Sequence, residues 1–184
     1  VYLVDNTERY REPVFKALEV LNPKYRSYPW EGTSSDGYAD AIEGTLNLIA
    51  RESIPSAGEW ADSEIKVMWE KQQASGIIEG WHGDGNFART TIMYCLWKTG
   101  GTYLVPWQKD LEAGAVRKDS LLYLSIFSKE GWKGKIMFDT KRHSGNLHLP
   151  FDWPRINQFP EYFVSDENKN YTVSSGPGSK QIPV

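Results

Sequence analysis

An α-helical body followed by a smaller antiparallel β region is the fold class that this 184-residue sequence predicts. Three observations carry that prediction. Apolar residues recur at helical spacing up to about Lys98, β-type runs begin only after Thr99-Gly100-Gly101, and a block of helices followed by a block of strands is the order of an α+β layout. The expected organisation is a helical region over 1–118, a β-rich region over 119–173 and a flexible Ser/Gly/Pro tail over 174–184.

The helices are read from their periodicity and their ends. Val1–Val4 is a short apolar run, and Pro13–Leu21 predicts a short helix with Pro13 in its first turn, stopped by Asn22-Pro23. After an aromatic loop over 23–35, Tyr38, Ile42, Thr45 and Ile49 predict a helix from about Asp36 to Glu52. Asp36, Asp40, Glu43 and Asn47 fall on another face of it, and an acidic stripe of that kind is ordinarily solvated. Ser56-Ala57-Gly58-Glu59 fits a capping box and opens a helix to about Ala74, with Glu59, Asp62 and Glu64 crowding its first turn. A third helix, from about Asn86 to Lys98, carries Phe87, Ile92, Met93, Cys95, Leu96 and Trp97 around most of its circumference, so burial on all sides is expected, Cys95 included.

The strand region is read from shorter runs. Leu121–Phe127 and Lys135–Thr140 predict strands joined as a hairpin through 128–134, and Leu147–Leu149, Tyr162–Val164 and Tyr171–Val173 are further short candidates. The proline-punctuated segment from Leu149 to Pro160 reads as extended chain lying across a surface.

Composition narrows the function classes. A chain that is 40% hydrophobic and 24% charged is that of a globular protein, and no run is long enough to cross a bilayer as a helix. Lys and Arg are scattered and the net charge is −3, which argues against a nucleic-acid footprint. Aromatic content is the outlier, with 8 Trp and 10 Tyr in a total of 14%. Amphipathic rings in that number suit a large core or a surface that stacks flat apolar faces, such as those of sugar rings.

Chemistry concentrates in Glu79-Gly80-Trp81-His82-Gly83-Asp84-Gly85-Asn86-Phe87-Ala88-Arg89, where glycines permit positive φ and close approach just before a helix. The functional reading is a site loop, and the plainer reading is a tight connector whose Asp84 or Asn86 caps the helix. Gly83 to Ala88 matches G-x-G-x-x-A formally, but Asp84 would repel a pyrophosphate and no βαβ alternation follows, so no nucleotide cofactor is expected. His82-x-Asp84 lacks a second ligand pair, and no metal is assigned.

Acid/base chemistry on a sugar suits the loop better. Glycoside hydrolysis needs two carboxyl groups flanking one bond. Glu79 and Asp84 are the acid/base candidates with His82 beside them, Trp81 is a stacking platform, and Asp40 or Asp62 approaches from neighbouring helix ends. A lyase would instead use a Tyr or His base, with His82, Asn86, Arg89, Tyr38, Arg142 and His143 available to hold a uronate. Lys141-Arg142-His143 is a compact cationic group that would draw an acidic glycan, or is simply the polar end of a strand. The residues permit both chemistries.

Ser35-Asp36-Gly37-Tyr38-Ala39-Asp40, Glu59-Trp60-Ala61-Asp62-Ser63-Glu64-Ile65 and above all Gly80 to Thr90 resemble the later hairpins of bacterial (α/α)-toroid carbohydrate-active proteins, the group of six-hairpin glycosidases and heparinase-like lyases. The resemblance spans about residues 30 to 173. It implies helical hairpins around a cleft with a β-rich region behind them, a glycan substrate and an extracytoplasmic, secreted or periplasmic setting. A complete toroid needs more hairpins than these 184 residues offer, so the expectation is either the C-terminal portion of a larger protein, partnered by its N-terminal part, or an incomplete ring. A non-catalytic glycan-binding or structural module is the alternative.

Overall fold

The computed structural model describes residues 2–78, 85–153, 160–166, 169–175 and 178–183. The fold is mixed, with helices preceding strands. It divides into a helical unit, Val1–Trp97 with Trp153–Pro160, and a strand unit, Lys98–Asp152 with Glu161–Val184.

The helical unit holds α1 (Tyr2–Asp5), α2 (Glu8–Tyr25), a 3₁₀ turn (Trp30–Thr33), α3 (Ser35–Ile49), α4 (Pro55–Glu70) and most of α5 (Asn86–Lys98). Leu18, Ile42, Leu46, Trp60, Ile65, Met68 and Met93 are its largest buried apolar side chains, drawn from four helices. No described helix is long and apolar enough to cross a membrane.

Helix α2 is twice the expected length and contains both Pro13 and Pro23. Proline costs a helix interior about 3 kcal/mol, and the burial of Leu18 with Val14, Phe15 and Leu21 against the core offsets it. Helix α3 follows its periodicity: Tyr38, Ile42, Thr45 and Ile49 are all buried. Ser34 caps it, its hydroxyl accepting from the Gly37 N–H at 2.9 Å.

Helix α4 departs from the capping-box expectation. It starts at Pro55, with no side-chain cap from Ile54, because proline at the first position needs no hydrogen bond and already has helical φ. Glu59, Asp62 and Glu64 therefore lie beyond the first turn and need partners other than the helix dipole. In α5 the expectation of all-round burial fails as well. Its buried residues are Asn86, Thr90, Met93 and Tyr94, whereas Ile92 is 50% exposed and Cys95 is exposed. The inward face recurs at helical spacing but is largely polar, and apolar count alone pointed away from it.

The strand unit consists of three antiparallel ribbons and a short helix. β1 (Tyr103–Val105) pairs with β4 (Lys135–Met137), β2 (Glu112–Lys118) with β3 (Leu121–Phe127), and β5 (Asn170–Ser175) with β6 (Gly178–Pro183), while α6 spans Arg142–Gly145. The expected hairpin between β3 and β4 does not form. Instead β3 folds back on β2 through Asp119-Ser120, with Asp119 at φ +54°. A two-residue turn with a positive-φ Asp holds a ribbon in register more tightly than a seven-residue loop. Leu147–Leu149 is not a strand, Val164 makes only an isolated parallel bridge to Asp139, and β6 lies where an unstructured tail was expected.

Candidate functional site

Helix α5 meets α3 through a polar network that begins at its first residue. The Asn86 Nδ2 group donates to Asp36 Oδ1 at 2.7 Å and to Asp40 Oδ1 at 2.8 Å. One turn along α5, Arg89 Nη2 donates to Asn86 Oδ1, Nε donates to Glu43 Oε2 at 2.8 Å, and Nη2 also approaches Glu43 Oε2 at 2.5 Å. The Arg89 donor settles the amide orientation: Asn86 must present its oxygen to the guanidinium and its NH₂ to the two aspartates. Asn86 is thus tied to α3.

This network revises the reading of the acidic stripe on α3. Asp36 is half-buried, Asp40 is exposed, and Glu43 is only 3% exposed. A carboxylate that deep requires a cation, and Arg89 supplies it from the facing helix. Asn47 is buried too, its amide donating to the Glu43 carbonyl at 3.0 Å. The stripe is an inter-helical seam for most of its length, with solvent access confined to the Asp36–Asp40 end.

Two carboxylates accept from one NH₂ group there. Hydrogen bonds of 2.7 and 2.8 Å to one nitrogen hold their Oδ1 atoms no more than about 5.5 Å apart.

The other residues singled out from sequence are distributed elsewhere. Glu79, Trp81, His82 and Asp84 lie outside the described residues. Gly85 follows them at φ +71°, the positive value the loop composition predicts. Tyr38 is a core residue whose hydroxyl donates to the Tyr28 carbonyl at 3.1 Å, and burial pushes its phenol up. Asp62 accepts from the Tyr94 hydroxyl at 2.6 Å, further along α5 than the Asn86–Arg89 turn. Burial first and the Asp62 hydrogen bond second hold the Tyr94 phenol well above its usual range.

In the strand unit, each member of the Lys141-Arg142-His143 group is matched by an acid. Lys141 Nζ pairs with Asp166 at 2.6 Å, and Arg142 pairs with Asp139. His143 Nδ1 lies 2.9 Å from Glu161 Oε2, and its N–H donates to Glu161 Oε1 at 2.8 Å. The partners lie 3 to 25 positions away along the chain, so charge composition alone suggested a cationic patch where the fold matches each side chain with a carboxylate. Asp139 is 7% exposed, and burial raises its carboxyl despite Arg142.

Among the described residues no group of three or more His, Cys, Asp or Glu side chains is arranged to hold a metal ion. Asp36 and Glu43 are the members of the network that the solvated-stripe reading set aside. Their spacing with Asp40 was visible, but the cation and amide that complete the site lie 46 to 50 residues further on. No protein-family model, characterised protein or solved structure matches this chain.

Proposed function

We propose that this chain belongs to a carbohydrate-active protein of the (α/α)-toroid kind and acts as a glycoside hydrolase, with the open end of the α3–α5 seam as part of its glycan site. The observation that carries this reading is the Asp36–Asp40 pair fixed by Asn86. Asp84 precedes Asn86 by two residues, so the loop that sequence reasoning selected leads directly into the residue that holds the pair. In this reading Asp40, the exposed member, works with Asp84 or Glu79 as the two carboxyl groups. Asp36 and Asn86 set the orientation of Asp40, Trp81 stacks on a sugar face, and His82 contacts substrate.

The lyase alternative is supported less well, since Arg89, Arg142 and His143 are each engaged by a carboxylate and offer a uronate no uncommitted cation. Reducing-end release from a panel of neutral and acidic glycans tests the proposal. Asp40→Asn and Asp84→Asn are each expected to lower turnover by about 100-fold or more, with an unchanged melting temperature. Full turnover in both variants would rule out these carboxyl roles, and binding of a glycan without any release would make the chain a non-catalytic module.

A further inference from the structure

The β2–β3 ribbon of the strand unit has two unequal faces. Directly opposed residues of an antiparallel pair project to the same side. The register therefore places Glu112 with Phe127, Gly114 with Ser125, Val116 with Tyr123, and Lys118 with Leu121 on one face. The opposite face carries Ala115 and Leu122, which close on the chain itself: a Cβ built on Gly100 would meet Leu122 Cδ1 at 3.0 Å and Ala115 Cβ at 3.3 Å. The first face is turned outward over most of its length, its Gly114 corner lying in ordinary contact with the chain's own Lys98 carbonyl, 3.9 Å from a Cβ built there. On it Val116 is 67% exposed, Leu121 57%, Tyr123 56% and Phe127 52%. Together these expose on the order of 400 Å² of apolar surface, the size at which a patch marks an interaction site and roughly half of what one partner of a standard interface covers.

We propose that this face is a homodimer interface, covered by the same face of a second copy. The pattern on the face is complementary to its own reverse. Glu112 and Lys118 stand at opposite ends, both exposed and neither in an ion pair within the described residues. A two-fold axis perpendicular to the strands and passing over Ala115 sets Glu112 on the partner's Lys118, and Lys118 on the partner's Glu112. The same operation sets Val116 and Tyr123 over the partner's Gly114 and Ser125. Large side chains then fill the gap left by small ones, and opposite charges meet at both ends, as an isologous interface requires. A two-stranded ribbon with one open apolar face is marginal by itself, and a second copy supplies the missing layer.

Sedimentation velocity of the full chain over a concentration series tests this. A monomer–dimer equilibrium is expected, and Tyr123→Lys is expected to leave only monomer. Glu112→Lys and Lys118→Glu should each weaken dimerisation about tenfold at low ionic strength, because each turns two attractive contacts into repulsions. The double variant E112K/K118E should recover to within about threefold of the unmodified protein, since the swap restores both pairs. Far-UV circular dichroism on each variant confirms that these exposed substitutions leave the fold intact. A protein that is monomeric at every concentration overturns the inference, whether footprinting then finds the face covered by its own chain, by an added glycan or by nothing. A dimer indifferent to Tyr123→Lys overturns it too, as do single charge variants that the double variant fails to rescue.

Discussion

The helical unit and the strand unit are stabilised by different physics. Among the described residues, every side chain of the hydrophobic core lies at or before Tyr94, within the helical unit. The strand unit buries Thr102 and Asp139 but leaves Trp107, Val116, Leu121, Tyr123 and Phe127 more than half exposed. It relies on ribbon ladders, on ion pairs such as Lys141–Asp166, and on carboxylates that clamp turns. The helical unit thus gains most of its stability from apolar area, which is insensitive to pH, whereas the strand unit draws on charges that can be titrated.

The largest effect should come from opening the helical core. Trp60 is fully buried, its indole N–H donates to the Tyr25 carbonyl at 3.1 Å, and its ring meets Trp30 edge-on with centroids 6.0 Å apart. Trp60→Ala should cost about 3 to 5 kcal/mol, measured as a lower urea midpoint. A shift below 1 kcal/mol would mean that the helical unit is not held by this core.

A smaller effect is expected where the strand unit packs backbone against backbone. Gly101 sits at φ +75°, and an added Cβ would meet Asp139 Cβ at 2.9 Å and the Phe163 nitrogen at 3.3 Å. Gly101→Ala combines left-handed strain with a clash and should destabilise by about 2 kcal/mol, read from thermal unfolding. An unchanged melting temperature would show that this junction adapts freely.

The finest comparison is between two carboxylates of opposite behaviour. Glu64 is fully buried in the helical unit, and desolvation raises its pKa although its Oε1 accepts from the Ser27 N–H at 3.0 Å. The folded state then holds the proton more tightly than the unfolded chain does. Stability is complete below the ordinary carboxylate range and declines as pH rises through the raised value. Glu64→Gln should abolish that decline. Asp110 in the strand unit is held down to about 2 by the Glu130 N–H and the Ser128 hydroxyl, with Gln108 adding a third donor. Its contribution is present above the ordinary value near 4 and is lost as pH falls towards about 2. Asp110→Asn should therefore weaken the protein at neutral pH and converge with it in acid. Parallel pH titrations of the melting temperature with either slope inverted would refute this contrast.

Local pattern made much of the architecture legible. The 3.6-residue spacing of Tyr38, Ile42, Thr45 and Ile49 located the buried face of α3, the bounds of α5 were visible between a glycine loop and Thr99-Gly100-Gly101, and Leu121–Phe127 read directly as a strand. Such signals depend on neighbours a few residues away, and backbone geometry enforces them in any context.

What only the tertiary structure decided was every matter of partnership. Strand β3 chose β2, not β4, since the short turn closes at lower entropic cost. Asn86, Asp40 and Arg89 were visible as single candidates, but their union with Asp36 and Glu43 spans about fifty residues of chain. Whether a carboxylate is solvated, paired or buried depends on what faces it across the fold. Sequence alone therefore determined several elements, among them α3, α5 and β3, and several members of the candidate site, and the meeting of α3 and α5 decided which of those members join.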